Sequence, residues 1–164
     1  MNGLNSYHSA LEDYLRGVLI ENIPDKAGPK TLEAISLLDS EGRTEKFFLS
    51  SLMPYKERTV DSLIRESVRQ HMSKISFNDM KDIASWLRKI GIEIDSLKNK
   101  ESIGTMIKRR HKIVHEADAN SNSGPGNHYA ASINKQTVLA WKAAVVALVE
   151  LVERALSGTI KANS

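Results

Sequence analysis

The chain has no cysteine, few aromatic residues and no long uncharged apolar run. Without cysteine it can form neither a disulfide framework nor a thiolate metal site. Aromatic residues make up 5% of the chain, too few to indicate a platform for stacking single-stranded bases. No apolar run approaches the roughly 18 residues that suggest a membrane-spanning helix, and the first 20 residues do not resemble a signal peptide. We therefore expect a cytoplasmic protein without membrane contact.

Two further absences restrict the classes of enzyme to which the chain could belong. The chain has no glycine-rich phosphate loop, which disfavours an NTPase, and nothing that resembles the nucleophile elbow of a serine hydrolase. The net charge of +3 and the pI near 9.1 are compatible with nucleic acid but do not by themselves predict it. With 164 residues, 41% of them hydrophobic, the chain is long enough for one domain with a substantial core.

Helical spacing of apolar residues recurs along the whole chain, and no strand-like alternation is present. We expect a single all-α domain over residues 1–164, a bundle of about five to seven helices. The predicted helices span residues 6–21, 30–40, 44–52, 60–72, about 79–90, and 135–156. Thr59, Asn78 and Asn134 are the predicted N-caps of the last three, and Gly91 is predicted to end the helix over 79–90. The last helix is the longest and is apolar around most of its circumference, so we expect it to be central or at an interface, followed by a frayed polar tail.

One helical stretch, residues 101–118, contains a misplaced charge. Arg110 lies at the centre of the apolar face of this helix. The apolar residues of that face are Ile103, Met106, Ile107, Ile113 and Val114. Burying a guanidinium without a partner would cost several kcal/mol. Arg110 is therefore paired with a carboxylate such as Asp61, Glu66 or Asp82, exposed at an edge, or functional.

His115 follows Arg110 by five residues, which on a regular helix is about 140° round the axis and about 7.5 Å along it. The two side chains cannot aim at one small target from a continuous helix. Either the helix loosens near His115, or a second copy of the chain supplies the other half of the site. Histidine within a cationic cluster suits proton transfer beside a phosphodiester; the cluster also includes Lys108, Arg109, His111 and Lys112.

A zinc site is an alternative interpretation of the same residues. His111 and His115 are spaced i, i+4, and Glu116 or Asp118 could supply a third ligand. The HExxH and HxxEH orders are absent, however. We therefore expect no metal and no cofactor.

The segment from Arg110 to His115 matches the R-x4-6-H signature of the HEPN domains, and the string RRHKIVHEAD resembles their RiboL-PSP subgroup. The resemblance is clearest over residues 58–156, whereas the correspondence of residues 1–55 is uncertain. It implies an all-α bundle that pairs as a homodimer, with two motifs facing across a cleft. It often implies a metal-independent endoribonuclease in a toxin or anti-phage defence role. Some HEPN domains only bind nucleotides or partners, and a non-catalytic module is the alternative.

The resemblance also implies roles for individual residues. Arg110 would stabilise the phosphate and the transition state, His115 would transfer protons, and His111 would orient or share that transfer. Lys108, Arg109 and Lys112 would hold the RNA backbone. The polar segment 117–127 reads as a loop that could line the site, with Glu116, Asp118 and His128 as further contacts. The expected partners are RNA, a second copy of the chain and a regulatory or antitoxin protein.

Overall fold

The computed structural model describes residues 2–37, 49–119 and 133–162, with the side chains at 2–5, 51, 114–119 and 159–162 left out of the description. Every regular element in these ranges is helical, which confirms the all-α prediction. The elements are α1 (Asn2–Lys26), α2 (Pro29–Leu32), a 3₁₀ helix (Leu49–Tyr55), α3 (Val60–Ser73), α4 (Met80–Arg88), α5 (Lys100–Ala119) and α6 (Lys135–Ala162).

Helix α1 is longer than predicted. It continues past residue 21 to Lys26 and contains Pro24, where the sequence suggested a loop. Proline lacks an N–H and normally ends or kinks a helix. Here a stripe of buried residues at every fourth position extends through the last turns and holds the helix together; its members are Leu11, Leu15, Leu19 and Ile23. Burial of Ile23 outweighs the missing hydrogen bond.

The next two predicted helices differ from the structure, the first in its C-terminal end and the second in its helix type and its C-terminal end. Helix α2 has only four residues and gives way to turns that reach Ile35, where a helix to residue 40 was expected. The following element is a 3₁₀ helix that begins at Leu49 and contains Pro54, the residue expected to end it. Leu49 and Met53 are 80% and 66% exposed, so this 3₁₀ helix buries little apolar surface. Residues 38–48 lie outside the described ranges.

The caps of α3 and α4 show how side chains define helix starts. Thr59 caps α3 as predicted, because its hydroxyl accepts the N–H of Ser62 at 3.1 Å. The predicted cap of α4 is wrong by one residue. Asp79, not Asn78, accepts the N–H groups of Lys81 and Asp82. The negative charge of a carboxylate at this position also interacts favourably with the positive end of the helix dipole.

Gly91 ends α4 as predicted. Its φ of +79° lies in the left-handed region that L-residues with a side chain rarely adopt. The N–H of Ile92 then bonds back to the carbonyl of Leu87 at 3.0 Å. The connection to α5 is irregular but well packed, with Ile92, Ile94 and Leu97 buried.

Helix α5 is an unbroken α-helix through Ala119, so the prediction that a loop begins at residue 117 is wrong. Helix α6 begins where predicted, with the Asn134 side chain accepting the N–H of Thr137 at 2.7 Å. It continues to Ala162, however, so the frayed tail from residue 157 is also wrong. No helix in the described ranges is long and apolar enough to span a membrane.

Helix α1, rather than α6, is central to the described bundle, because it packs against α3, α5 and α6. Helix α6 buries only one face, formed by Trp141, Ala144, Leu148 and Val152. Leu139 and Val146 on its other side are 53% and 45% exposed. The apolar circumference seen in the sequence is thus only partly covered within one chain.

Candidate active site

The apolar face of α5 forms as predicted, with a charge set into it. Ile103, Met106 and Ile107 are at most 1% exposed, and Ile113 packs against the same core. Arg110 lies between them along the helix and is half-buried. The side chain of Val114 is outside the description. Arg110 therefore lies at the edge of the core, on a helix whose apolar side chains pack into that core.

The carboxylates considered as structural partners of Arg110 are engaged elsewhere. Each has another contact: Asp61 with Arg65 at 3.0 Å, Glu66 with Arg69 at 2.6 Å, and Asp82 with the N–H of Asn78 at 3.1 Å. Among the described side chains, no ion pair to Arg110 is formed. The interpretation of Arg110 as the buried partner of one of these three acids is wrong.

Helix α1 brings a buried polar pair that the sequence analysis missed. The imidazole of His8 is almost fully buried, with only 1% of the residue exposed. Its Nδ1 lies 3.3 Å from Oε2 of Glu12, one turn later on the same helix. Nδ1 makes no well-aligned hydrogen bond with a described residue, so this contact is mainly electrostatic. The other carboxylate oxygen of Glu12 faces the N–H of Phe77 at 3.5 Å.

His8 lies within electrostatic reach of two residues of the motif. Burial lowers the pKa of His8 below its ordinary value, the Glu12 carboxylate opposes this, and the charges of Arg110 and His111 lower the pKa further. The charges of Arg110 and His111 on α5 therefore act on His8, which lies on the neighbouring helix α1. The signal in the sequence was that His8 precedes Leu11, the first residue of the α1 core stripe, by three positions and Glu12 by four.

The remaining cations of the motif lie on different sides of α5. Lys108 and Lys112 are exposed, one turn apart on one flank, and His111 is half-buried. Arg109 faces α6 and lines a cavity of about 290 Å³. The cavity is completed by Thr105, Ile133, Asn134, Thr137 and Trp141, and the Trp141 indole donates to the Thr105 hydroxyl at 3.2 Å. Only part of the predicted cationic cluster therefore surrounds Arg110.

Several predicted site residues fall partly or wholly outside the description. His115, Glu116 and Asp118 belong to α5 by their backbone, but their side chains are not described, and His128 lies outside the described ranges altogether. The helix does not loosen at His115, since α5 is continuous there. Within one chain the Arg110 and His115 positions thus keep the separation of a regular helix.

The described side chains contain no group of three histidine, aspartate or glutamate residues placed to hold a metal ion. Of the four residues considered for zinc, only His111 has a described side chain. The zinc alternative, which also needs His115 and either Glu116 or Asp118, is therefore not tested by the geometry.

Comparison with known protein families gives a match to this chain. The RiboL-PSP-HEPN family model matches residues 6–158. No curated protein and no solved structure matches significantly. The match begins within α1 and so includes His8 and Glu12, whereas the sequence resemblance was clearest only from residue 58. Because it covers nearly the whole chain, this all-α protein belongs to the RiboL-PSP-HEPN family.

Proposed function

We propose that the protein is a metal-independent endoribonuclease whose Arg110 and His115 act together at a homodimer interface. The main support is the R-x4-H pattern on an unbroken helix of a HEPN-family chain. Arg110 in that pattern is half-buried within an apolar stripe and pairs with no described carboxylate. Partial burial of a guanidinium costs free energy, and Arg110 has no ion pair with Asp61, Glu66 or Asp82 that would offset this cost. The arrangement therefore favours a role for Arg110 in binding an anion.

The residue types suit cleavage by the RNA's own 2′-hydroxyl. In this reaction the 2′-oxygen loses its proton and bonds to the adjacent phosphorus, while the bond to the 5′-oxygen breaks and that oxygen gains a proton. His115 transfers protons near neutral pH. Arg110 neutralises the phosphoryl oxygens through bidentate hydrogen bonds. The products are a 2′,3′-cyclic phosphate and a free 5′-hydroxyl.

A second copy of the chain completes the site in this proposal. The continuous α5 separates positions 110 and 115 by about 140° round the axis and about 7.5 Å along it. Two such helices related by a twofold axis bring Arg110 of one protomer towards His115 of the other. The incompletely covered outer side of α6, with Leu139 and Val146 exposed, offers apolar surface for association.

The other motif residues have secondary roles in the proposal. His111 orients the substrate or shares proton transfer, and the exposed Lys108 and Lys112 hold the RNA backbone together with Arg109. Glu116, Asp118 and His128 are proposed as further contacts. We place the enzyme in the cytoplasm, as expected from the sequence. Following the family resemblance, we propose a toxin or anti-phage defence role controlled by a regulatory or antitoxin partner.

The alternative proposal is a non-catalytic HEPN module that dimerises or binds a nucleotide or partner. The modest net charge of +3 and the 5% aromatic content favour it over a strongly RNA-binding enzyme. The two proposals differ in whether Arg110 has a chemical role.

The test is incubation of purified protein with a mixed RNA pool in excess EDTA. We expect cleavage by the wild-type protein with 2′,3′-cyclic phosphate ends. Arg110→Ala should lose cleavage by at least about 100-fold, as expected when a group that neutralises transition-state charge is removed. The matched control is Arg69→Ala, which removes an exposed arginine of α3 and should retain activity.

Fragments are separated by size, and their ends are identified by sensitivity to a phosphatase with and without prior acid opening of the cyclic phosphate. A folded Arg110→Ala variant with wild-type cleavage would contradict the site assignment. Absence of cleavage by the wild-type protein with every RNA in the pool would favour the binding module.

A further inference from the structure

We infer that the cavity between α5 and the start of α6 binds a phosphate group, which is held by the Arg109 guanidinium and the side-chain amide of Asn134. The phosphate belongs either to an RNA chain or to a free nucleotide, and the experiment separates these two sources. Such a site goes beyond the proposed function, because it binds a phosphate whether or not the protein cleaves RNA.

Arg109 lies on a different side of α5 from Arg110. Each residue of an α-helix turns about 100° from the one before it, whereas Thr105 and Arg109 are one turn apart on the same face. That face lies against α6, because the Trp141 indole donates to the Thr105 hydroxyl at 3.2 Å and Trp141 is 4% exposed. Arg109 therefore directs its positive charge towards α6, away from the two exposed lysines of the motif.

The cavity that Arg109 lines suits an anion in size and charge. Its volume is about 290 Å³, near the lower end of the range of about 300–1,000 Å³ found for small-molecule sites. The described residues around it carry one positive charge and no carboxylate. A guanidinium repels metal cations and binds phosphate oxygens through two parallel N–H bonds. Ile133 and Trp141 form an apolar part of the wall, against which the sugar of a nucleotide can pack.

Asn134 lines the same cavity and supplies a second donor with a fixed direction. Its Oδ1 atom accepts the N–H of Thr137 at 2.7 Å and the Thr137 hydroxyl at 2.9 Å. Since the amide is planar, its Nδ2 group lies on the other side and has two hydrogens to donate. The first turn of α6, which begins at Lys135, adds positive potential through the helix dipole.

The two threonines of the cavity do not serve as further donors. The Thr105 hydroxyl donates to the carbonyl of Ser102 at 2.8 Å, and the Thr137 hydroxyl donates to Asn134. Each hydroxyl has one hydrogen, so neither can donate to a phosphate as well. Arg109 and Asn134 are therefore the side chains whose replacement should affect binding.

Binding is measured by NMR on the indole N–H signals of Trp86 and Trp141, the two tryptophans of the chain, which Trp86→Phe distinguishes. Trp141 borders the cavity, whereas Trp86 lies on α4. The probes are uridine 5′-monophosphate, uridine, and a short RNA oligonucleotide with methylated 2′-oxygens, all at constant ionic strength. We expect the Trp141 signal to shift saturably with the monophosphate and the oligonucleotide but not with uridine. The monophosphate should leave the Trp86 signal in place.

Two variants test the donors against a matched control. Arg109→Gln removes the cation and should weaken binding of the monophosphate by at least about tenfold. Asn134→Asp keeps a good N-cap but places a carboxylate in the cavity, so it should weaken binding similarly without lowering the melting temperature. Lys142→Gln removes an exposed positive charge of α6 and should change the affinity by less than about twofold.

The oligonucleotide separates the two sources of phosphate, and it cannot be cleaved because its 2′-oxygens carry methyl groups. Tighter binding of the oligonucleotide than of the monophosphate assigns the site to RNA, and equal or weaker binding assigns it to a free nucleotide. A Trp141 signal that neither phosphate probe moves, or that uridine moves equally, would overturn the inference. So would equal affinities of the folded Arg109→Gln, Asn134→Asp and Lys142→Gln variants. Normal binding by a wild-type protein that cuts no RNA would contradict the proposed nuclease and leave the phosphate site supported.

Discussion

At the scale of single residues, the most informative positions are those where a polar group replaces an apolar one. Arg110 and His8 both take core-stripe positions on helices that pack together. The three carboxylates that could have given Arg110 a structural role bond to other residues. A side chain that interrupts a core without a structural partner is a better indicator of function than a surface charge.

Tyr14 gives a residue-scale prediction about pH. Its hydroxyl donates to Glu153 at 2.7 Å, joining α1 to α6. Partial burial of the ring raises the pKa of Tyr14 well above its ordinary value, and the hydrogen bond to Glu153 and the negative charge of that carboxylate raise it further. The neutral hydroxyl therefore stabilises the fold below the ordinary tyrosine pKa of about 10, and this stabilisation is lost as the pH rises above it.

We expect Tyr14→Phe to lower the free energy of unfolding at pH 7 by about 0.5 kcal/mol, the low end for a hydrogen bond because this one is exposed. Urea unfolding at pH 7 and pH 10.5 measures the difference, which should shrink or reverse at the higher pH. Tyr7→Phe, on the same helix, is the control for loss of a hydroxyl. A difference that grows at pH 10.5 would contradict the assignment.

At the scale of elements, helix ends are determined by caps and by burial acting together. Thr59 and Asn134 cap α3 and α6 as their sequence context predicts. Helices α1, α5 and α6 nevertheless run beyond their predicted ends. For α1 the cause is visible, since Ile23 is fully buried beyond the predicted end and Pro24 is accommodated.

Replacing two glycines by alanine, one inside a helix and one just beyond the end of a helix, should change the stability of the protein in opposite directions. Gly91 has a φ of +79°, so alanine there should cost about 1–2 kcal/mol of backbone strain. Gly17 lies inside α1 and is exposed, so alanine there should stabilise the protein by about 0.5–1 kcal/mol. An added Cβ meets no atom within 4 Å at either position, so packing does not obscure the comparison.

Thermal unfolding of Gly91→Ala and Gly17→Ala beside the wild-type protein measures both effects. The first variant should melt lower and the second higher. Equal melting temperatures for the two variants would mean that the αL geometry at the end of α4 is not maintained in solution.

At the scale of the whole molecule, α1 organises the described bundle. It contacts α3, α5 and α6, and Arg16 ties it to the end of α3 by donating to the carbonyls of Met72 and Ile75 at 3.1 Å each. The same helix carries His8 and Glu12. Because α1 also packs against α5, which carries Arg110, we expect changes that disturb this packing to affect both stability and the proposed site.

A composite site makes a whole-molecule prediction that a site within one chain does not. Arg110→Ala and His115→Ala should each be inactive alone. After unfolding and refolding together, they should regain roughly a quarter of wild-type activity, because half of randomly paired dimers are mixed and each mixed dimer has one intact site of two.

RNA cleavage by the co-refolded mixture, beside each variant refolded alone, measures this complementation. Sedimentation of the wild-type protein establishes whether dimers are present at the concentration assayed. Inactive mixtures that contain dimers would contradict the pairing of Arg110 with His115 across protomers.

The sequence by itself determined the class of fold and the motif. Helical periodicity and the absence of strand alternation are local properties, so the all-α architecture could be predicted from them. The position of Arg110 within an apolar face followed from the same periodicity. The caps at Thr59 and Asn134 and the stop at Gly91 were also local, because each depends on residues within a few positions.

Only the tertiary structure decided which helices pack against α5, the helix that carries Arg110. His8 is 102 positions away in the sequence, and no local pattern states which helix packs against α5. The pairs that Asp61 and Glu66 form with Arg65 and Arg69 are, by contrast, local contacts within α3, at i, i+4 and i, i+3. Contacts between distant segments depend on how the helices pack as a whole, and this is why the burial of His8 appeared only in three dimensions.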